Sequence, residues 1–161
     1  MKKTYELSQY IEELSARASA IRSGFVKRKD DNMLKVTTDG RKAALDIRLV
    51  DPNTALSKIF SKVYSCAERV CDLYVRTNVN KSTQLIFCDY STPKDGYNIY
   101  DELKNVLLTF GIKEHEIAFI HDAKTDRQRE RIFNKVNTGE IRILIGSTFK
   151  LGMGVNVQNK L

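Results

Sequence analysis

Apolar residues in the first part of the chain recur at three-to-four spacing. Leu7, Tyr10, Ile11, Leu14, Ala18 and Ile21 draw one stripe on a helix that ends near Gly24. The charged stretch 27–31 reads as a loop. Thr38 and Asp39 suit the N-cap of a short helix through Leu49, which Asp51-Pro52 closes. A longer helix follows, with Leu56, Phe60, Val63, Ala67, Val70 and Tyr74 on its buried face. These N-terminal helices read as packing elements.

The rhythm changes at Gln84. Leu85, Ile86, Phe87 and Cys88 make a short unbroken apolar run, suited to a strand covered on both faces. Tyr100, Leu103, Leu107 and Phe110 then mark a helix stopped by Gly111, and residues 117–120 form a second apolar run. Thr125 and Gln128 have the spacing of a capping box. The helix they open buries Ile132, Phe133 and Val136 and ends near Asn137 and Gly139. Ile141, Ile143, Leu144 and Ile145 predict a third strand. Strand, helix, strand, helix, strand at these intervals implies right-handed crossovers and a parallel sheet.

Composition narrows the class. A chain of 161 residues has room for one compact domain, and 42% apolar with 29% charged residues is a globular balance. The formal charge of +7 favours a polyanion such as nucleic acid, although a basic surface without such a partner stays open. Cys66, Cys71 and Cys88 are odd in number and lack metal spacing. They read as small buried hydrophobes of a reducing cytosol rather than as zinc ligands or a disulfide. Lys2 and Lys3 precede no apolar run, and nowhere do about eighteen apolar residues run together. The expectation is a soluble, cytoplasmic protein with no signal peptide and no membrane partner.

Parallel sheets gather function at the carboxyl ends of their strands. The loops 89–96, 121–126 and 146–158 stand there. In the last, Ser147 and Thr148 follow a buried strand, where hydroxyls and free amides can donate to phosphate oxygens. Gly152 and Gly154 permit close backbone approach or positive φ. Alone, this spacing fits a plain strand-to-helix turn equally well.

Together the phrases are more specific. Ile120-His121-Asp122-Ala123, then the arginines from Arg127 to Arg131, Phe133-Asn134, Ile143-Leu144-Ile145, and Ser147-Thr148 through Gly152-x-Gly154-Val155-Asn156 resemble the second motor lobe of Swi/Snf-type ATPases of helicase superfamily two. Gln84-Leu85-Ile86-Phe87-Cys88 stands where motif IV belongs, and the 147–156 phrase where motif V does. A closer likeness is to helicase-like proteins of phages and conjugative elements, often fused to or named as DNA methylases. It is carried by Asp31-Asn32-Met33-Leu34-Lys35, by Asp39-Gly40-Arg41-Lys42-Ala43-Ala44-Leu45-Asp46 and by Ser91-Thr92-Pro93-Lys94. No methyltransferase motif accompanies them.

This resemblance implies an α/β, RecA-like three-layer sandwich with a mainly parallel sheet, preceded by N-terminal helices. Residues 1–80 would be a helical segment packing on the lobe and 81–161 the RecA-like core, one compact domain overall. In the family Ser147 and Thr148 would bond the phosphates of a tracked strand, with Lys150 beside them. Ser91 and Thr92 would be a second backbone contact, and a helix cap before Pro93 is an equal alternative. Gly152, Gly154, Asn156 and Gln158 would lie near a nucleotide when two lobes close. DNA is the expected partner, with RNA an open alternative. Arg127, Arg129, Arg131 and Lys135 either line a DNA-facing helix or form a solvated surface. His115 and His121 read as packing residues.

Several departures qualify the resemblance. Phe149 replaces a polar residue after the Ser-Thr pair, and Ala123 replaces a glycine. The sequence has no G-x-x-x-x-G-K-[ST] loop and no Asp-Glu box, so it supplies no catalytic residue and no metal ligand. ATP and magnesium would belong to a full-length parent with a separate N-terminal RecA-like lobe. This chain by itself is expected to take no cofactor and to hydrolyse nothing. The sequence stops at Leu161, before an expected Gln-x-x-Gly-Arg-x-x-Arg segment carrying an arginine finger, which leads to the expectation of an expressed fragment. A non-catalytic adaptor or protein-interaction module is the alternative. A flavodoxin-like small-molecule domain fits the sheet but not the Ser-Thr-Gly-Gly-Asn loop.

Overall fold

The computed structural model describes residues 4–55, 61–152, 157, 159 and 160. They fall into two compact units, Met1–Lys62 and Val63–Leu161.

In the first unit, α1 (Tyr5–Arg22) begins where the Thr4 hydroxyl accepts the Leu7 amide at 3.2 Å. The chain leaves α1 through Gly24, whose φ of +77° suits glycine. Of the predicted stripe, Leu7, Tyr10, Leu14, Ala18 and Ile21 are half-buried and Ile11 is exposed. The second helix, α2 (Met33–Leu45), starts earlier than its sequence predicts. Asn32 is the cap, its side-chain oxygen accepting the Lys35 amide at 3.0 Å. Thr38 and Asp39 therefore lie inside the helix. Asp39 instead accepts from Arg17 at 3.0 Å, and the same guanidinium forks onto both oxygens of Asp31 at 2.7 and 2.9 Å. Arg17 holds the Asp31 carboxyl below its usual range. The helix also stops short of Leu49. Buried Asp46 accepts the Arg48 amide at 3.0 Å and opens a separate one-turn segment, Ile47–Leu49. Leu56 and Phe60 lie outside the described residues.

In the second unit, α3 (Lys62–Arg76) buries Val63, Ala67 and Val70 at the predicted spacing. Three strands follow: β1 (Gln84–Phe87), β2 (Ile117–Phe119) and β3 (Ile143–Gly146). They are parallel, in the order β1-β3-β2, with Phe87 opposite Gly146 and Phe119 opposite Ile145. Between them run α4 (Ile99–Thr109) and α5 (Asp126–Thr138), and β3 leads directly into the single turn α6 (Thr148–Leu151).

Alternation along the strands sorts the helices into layers. Leu85, Ala118 and Leu144 point to one face, where they pack with Ile132, Phe133 and Val136 of α5 and Leu151 of α6. Gln84 and Phe119 point to the other. There the Gln84 amide donates to the Val70 carbonyl of α3 at 2.9 Å, and Phe119 meets the ring of Tyr100 of α4 edge-on. Helices, sheet and helices make three layers, the α/β architecture that the sequence predicts. Thr125 and Gln128 form both bonds of the capping box, and Gly111 and Gly139 end α4 and α5 at φ of +85° and +79°.

One expectation for the sheet does not hold. β3 is buried at all four positions, but Phe87 of β1 remains 51% exposed. Phe87 is the last residue of β1, which among the described residues is an edge strand, and an apolar run discloses neither fact.

Candidate nucleic-acid interface

Parallel pairing brings the carboxyl ends of all three strands to one edge. The Cys88 amide extends the ladder past β1 by donating to the Gly146 carbonyl at 2.9 Å. Tyr100, fully buried, donates its hydroxyl to the Cys88 carbonyl at 2.7 Å. Burial holds its ionisation well above the usual tyrosine range.

Gly146 shapes the turn out of β3. A Cβ there would lie 2.5–2.6 Å from Leu151 and Ile120 side-chain carbons, so only glycine lets α6 fold back against the sheet. Ser147 is the α6 cap, its buried hydroxyl accepting the Lys150 amide at 3.3 Å. Gly152 closes α6 at a φ of −87°, and a Cβ would collide with the Thr148 carbonyl. Close approach, rather than positive φ, is what this glycine supplies. Gly154, Asn156 and Gln158 lie outside the described residues.

Thr148 is exposed on this edge, and its two donors converge on one acceptor. Its amide donates to Oδ1 of Asp89 at 2.7 Å, and its hydroxyl donates to Oδ2 at 2.8 Å. The β1 loop and the β3 loop are thus joined by a bidentate carboxylate. Phe149 follows with 78% of its surface in solvent, and Lys150 is half-buried beside it.

On the β1 loop, Ser91 and Thr92 have different surroundings. The Ser91 hydroxyl is buried and accepts the amide of Ile99, the first residue of α4, at 2.9 Å. Thr92 is exposed. Asn98 completes the start of α4, accepting the Asp101 amide at 2.9 Å and donating to the Lys94 carbonyl at 3.0 Å. Ser91 and Ser147 are therefore engaged in holding helix starts, whereas Thr92 and Thr148 face water.

From the β2 end, His121 packs edge-on against Tyr100, with ring centres 5.2 Å apart. Its buried Nδ1 has no hydrogen-bond partner among the described residues. Burial first, and the Lys150 ammonium second, push its pKa down against the opposing pull of Asp122. On α5, Arg127, Arg131 and Lys135 are exposed and Arg129 reaches Asp126 at 3.7 Å.

Residues 65–160 match the family model described as the helicase conserved C-terminal domain. The chain belongs to that family. This helicase C-terminal domain is a lobe of superfamily-two type, and the parallel α/β fold agrees with it. No curated protein and no solved structure matches the chain.

Sequence reasoning missed Asp89 and Arg142. Asp89 lies in a loop already singled out, but nothing in the sequence pairs it with a residue 59 positions away. Arg142 interrupts the apolar run 141–145 and nothing in that run marks it as buried, yet it is 1% exposed.

Proposed function

We propose that this domain is the C-terminal motor lobe of an ATP-dependent DNA translocase of Swi/Snf type. Its relatives would be the helicase-like proteins of mobile elements that accompany DNA methylases. Thr148 and Lys150 would hold phosphates of one strand, with Thr92 on the neighbouring loop and the bonds of Ser91 and Ser147 fixing the loops that present them. Gly152, Gly154, Asn156 and Gln158 would face a nucleotide held, with magnesium, mainly by an N-terminal lobe. Closing and opening of the two lobes would then advance the grip.

One observation carries this reading: the Thr148 amide and hydroxyl stand side by side at the carboxyl edge and already bind an anionic group. Donors that fit two oxygens of a carboxylate suit two oxygens of a phosphodiester. Phosphate contacts make binding tolerant of sequence and steeply dependent on salt. Titrating the chain into a labelled oligothymidylate at several salt concentrations tests this. The logarithm of affinity should fall linearly with the logarithm of salt, and Thr148→Val should weaken binding by roughly threefold to tenfold. Binding that ignores salt, or Thr148→Val binding like the parent, contradicts the proposal. ATP hydrolysis by the chain alone, at a rate that survives removal of contaminants, contradicts it as well.

A further inference from the structure

Thr148 has one N–H and one hydroxyl proton to give, and Asp89 takes both, one on each carboxylate oxygen, at 2.7 and 2.8 Å. The donors proposed to grip phosphate are therefore filled by an acid of the same chain. A phosphate cannot simply join them. Two anions would face each other across two donors, and each donor would have to divide its hydrogen between them. Binding through Thr148 is an exchange of one oxyanion for another.

Asp89 is placed to make that exchange. Its side chain is at the surface, so leaving Thr148 returns the carboxylate to water rather than stranding it in the core. None of the ion pairs among the described residues involves it. Its backbone is secured independently of the bond to Thr148. Before it, the Cys88 amide is fixed to Gly146 at 2.9 Å and the Cys88 carbonyl to Tyr100 at 2.7 Å. After it, Ser91 is fixed to Ile99 at 2.9 Å. A side chain on an anchored loop can turn away while the loop stays in place.

We propose that Asp89 is an internal stand-in for phosphate. It occupies the Thr148 donors in the unliganded lobe and has to be displaced before a nucleic-acid strand can bond there. This inference rests on the reading of Thr148 as a phosphate contact. It assigns Asp89 a defined role at that site: it sets the threshold for binding, keeps the donors aligned until a strand arrives, and makes a small anion that lacks the further contacts of a strand a poor competitor.

The test compares affinities of the full 161-residue chain for a labelled oligothymidylate at one low salt concentration. The variants are Asp89→Asn, Asp95→Asn, Thr148→Val and the Asp89→Asn/Thr148→Val double variant. Asp95, exposed on the same loop, controls for the loss of one negative charge. Asp89→Asn should tighten binding roughly tenfold, Asp95→Asn by no more than about twofold, and the Asp89→Asn gain should vanish when Thr148 is valine. Equal gains from the two Asp variants, a gain that persists without Thr148, or weaker binding by Asp89→Asn each overturns the exchange. Failure of the underlying reading looks different: Thr148→Val then binds like the parent whatever stands at position 89. Weakening by Thr148→Val with no gain from Asp89→Asn keeps the phosphate contact and removes only the role of Asp89.

Discussion

The guanidinium carbon of Arg142 lies 4.0 Å from the centre of the Tyr74 ring, while its Nη2 donates to the Tyr74 carbonyl at 2.9 Å. The same group donates to the Thr77 hydroxyl at 3.1 Å, to Oδ1 of Asn78 at 3.0 Å and to the Ser82 carbonyl at 3.1 Å. A planar cation thus meets the last turn of α3, where unpaired carbonyls and the helix dipole favour positive charge. The Tyr74 hydroxyl donates in turn to Glu116, just before β2. Arg142 ties α3 to the amino edge of the sheet, the edge opposite Thr148. Its 1% exposure makes this a buried charge with its donors well supplied.

Removing that side chain leaves several acceptors unpaired inside the fold. Arg142→Ala should therefore lower unfolding free energy by about 3 kcal/mol or more, read from urea midpoints. Arg142→Lys should recover less than half, because an ammonium cannot reproduce the planar fork or its stacking on Tyr74. A lysine variant as stable as the parent would show that charge alone holds this end of α3.

Acid should weaken the domain through His121. Its pKa is lowered in the fold by burial and then by Lys150, whereas an unfolded chain titrates at about 6.5. Below that value the unfolded state takes up a proton that the native state resists, so stability falls as pH drops from about 6.5 toward the native pKa. Above about 6.5 both states are neutral and the contribution does not vary. His121→Gln cannot titrate. The difference between parent and variant melting temperatures should shift in the variant's favour on moving from neutral to mildly acid buffer. Parallel pH profiles would exclude the linkage.

Gly146→Ala should cost about 1–3 kcal/mol, since the new methyl would overlap Leu151 and Ile120 side chains within a packed core. Relief requires α6 to move off the sheet and take Thr148 with it. Oligothymidylate affinity should drop in the folded variant by a factor similar to that of Thr148→Val. Unchanged affinity would mean that the seat of α6 does not govern the contact.

Local signals and distant pairings differ in how far the sequence discloses them. The capping box at Thr125 and Gln128, the glycine ends at Gly111 and Gly139 and the three apolar runs are local, and each appears where it is predicted. The start of α2 does not, because Thr38 and Asp39 are good caps in isolation while Asn32 has the apolar turn behind it and Asp39 has Arg17 to bind. The exposure of Phe87, at the end of an edge strand whose counterpart β2 keeps Phe119 buried, is not encoded in an apolar run. Asp89 and Arg142 are the clearest cases. Their chemistry arises from partners at Thr148 and Tyr74, 59 and 68 positions away, brought near only by the parallel sheet. The residues proposed to hold phosphate are legible as types in a loop, but which of them face water is not.

Phe149 offers a direct view of the proposed site. The chain contains no tryptophan, and this side chain, next to Thr148, has 78% of its surface in solvent. Exchanging one exposed aromatic residue for another should leave stability within about 0.5 kcal/mol. Phe149→Trp then carries a single indole on α6. Addition of oligothymidylate should change its emission, since a base brought alongside the ring stacks on it or alters its solvation. The change should saturate with the affinity measured by the labelled strand and should be reversed by salt. If the labelled strand reports binding while the indole stays silent, the strand is held away from α6. The exposed Arg127 and Arg131 of α5 would then be the residues to substitute next, and Thr148 would lose its assignment.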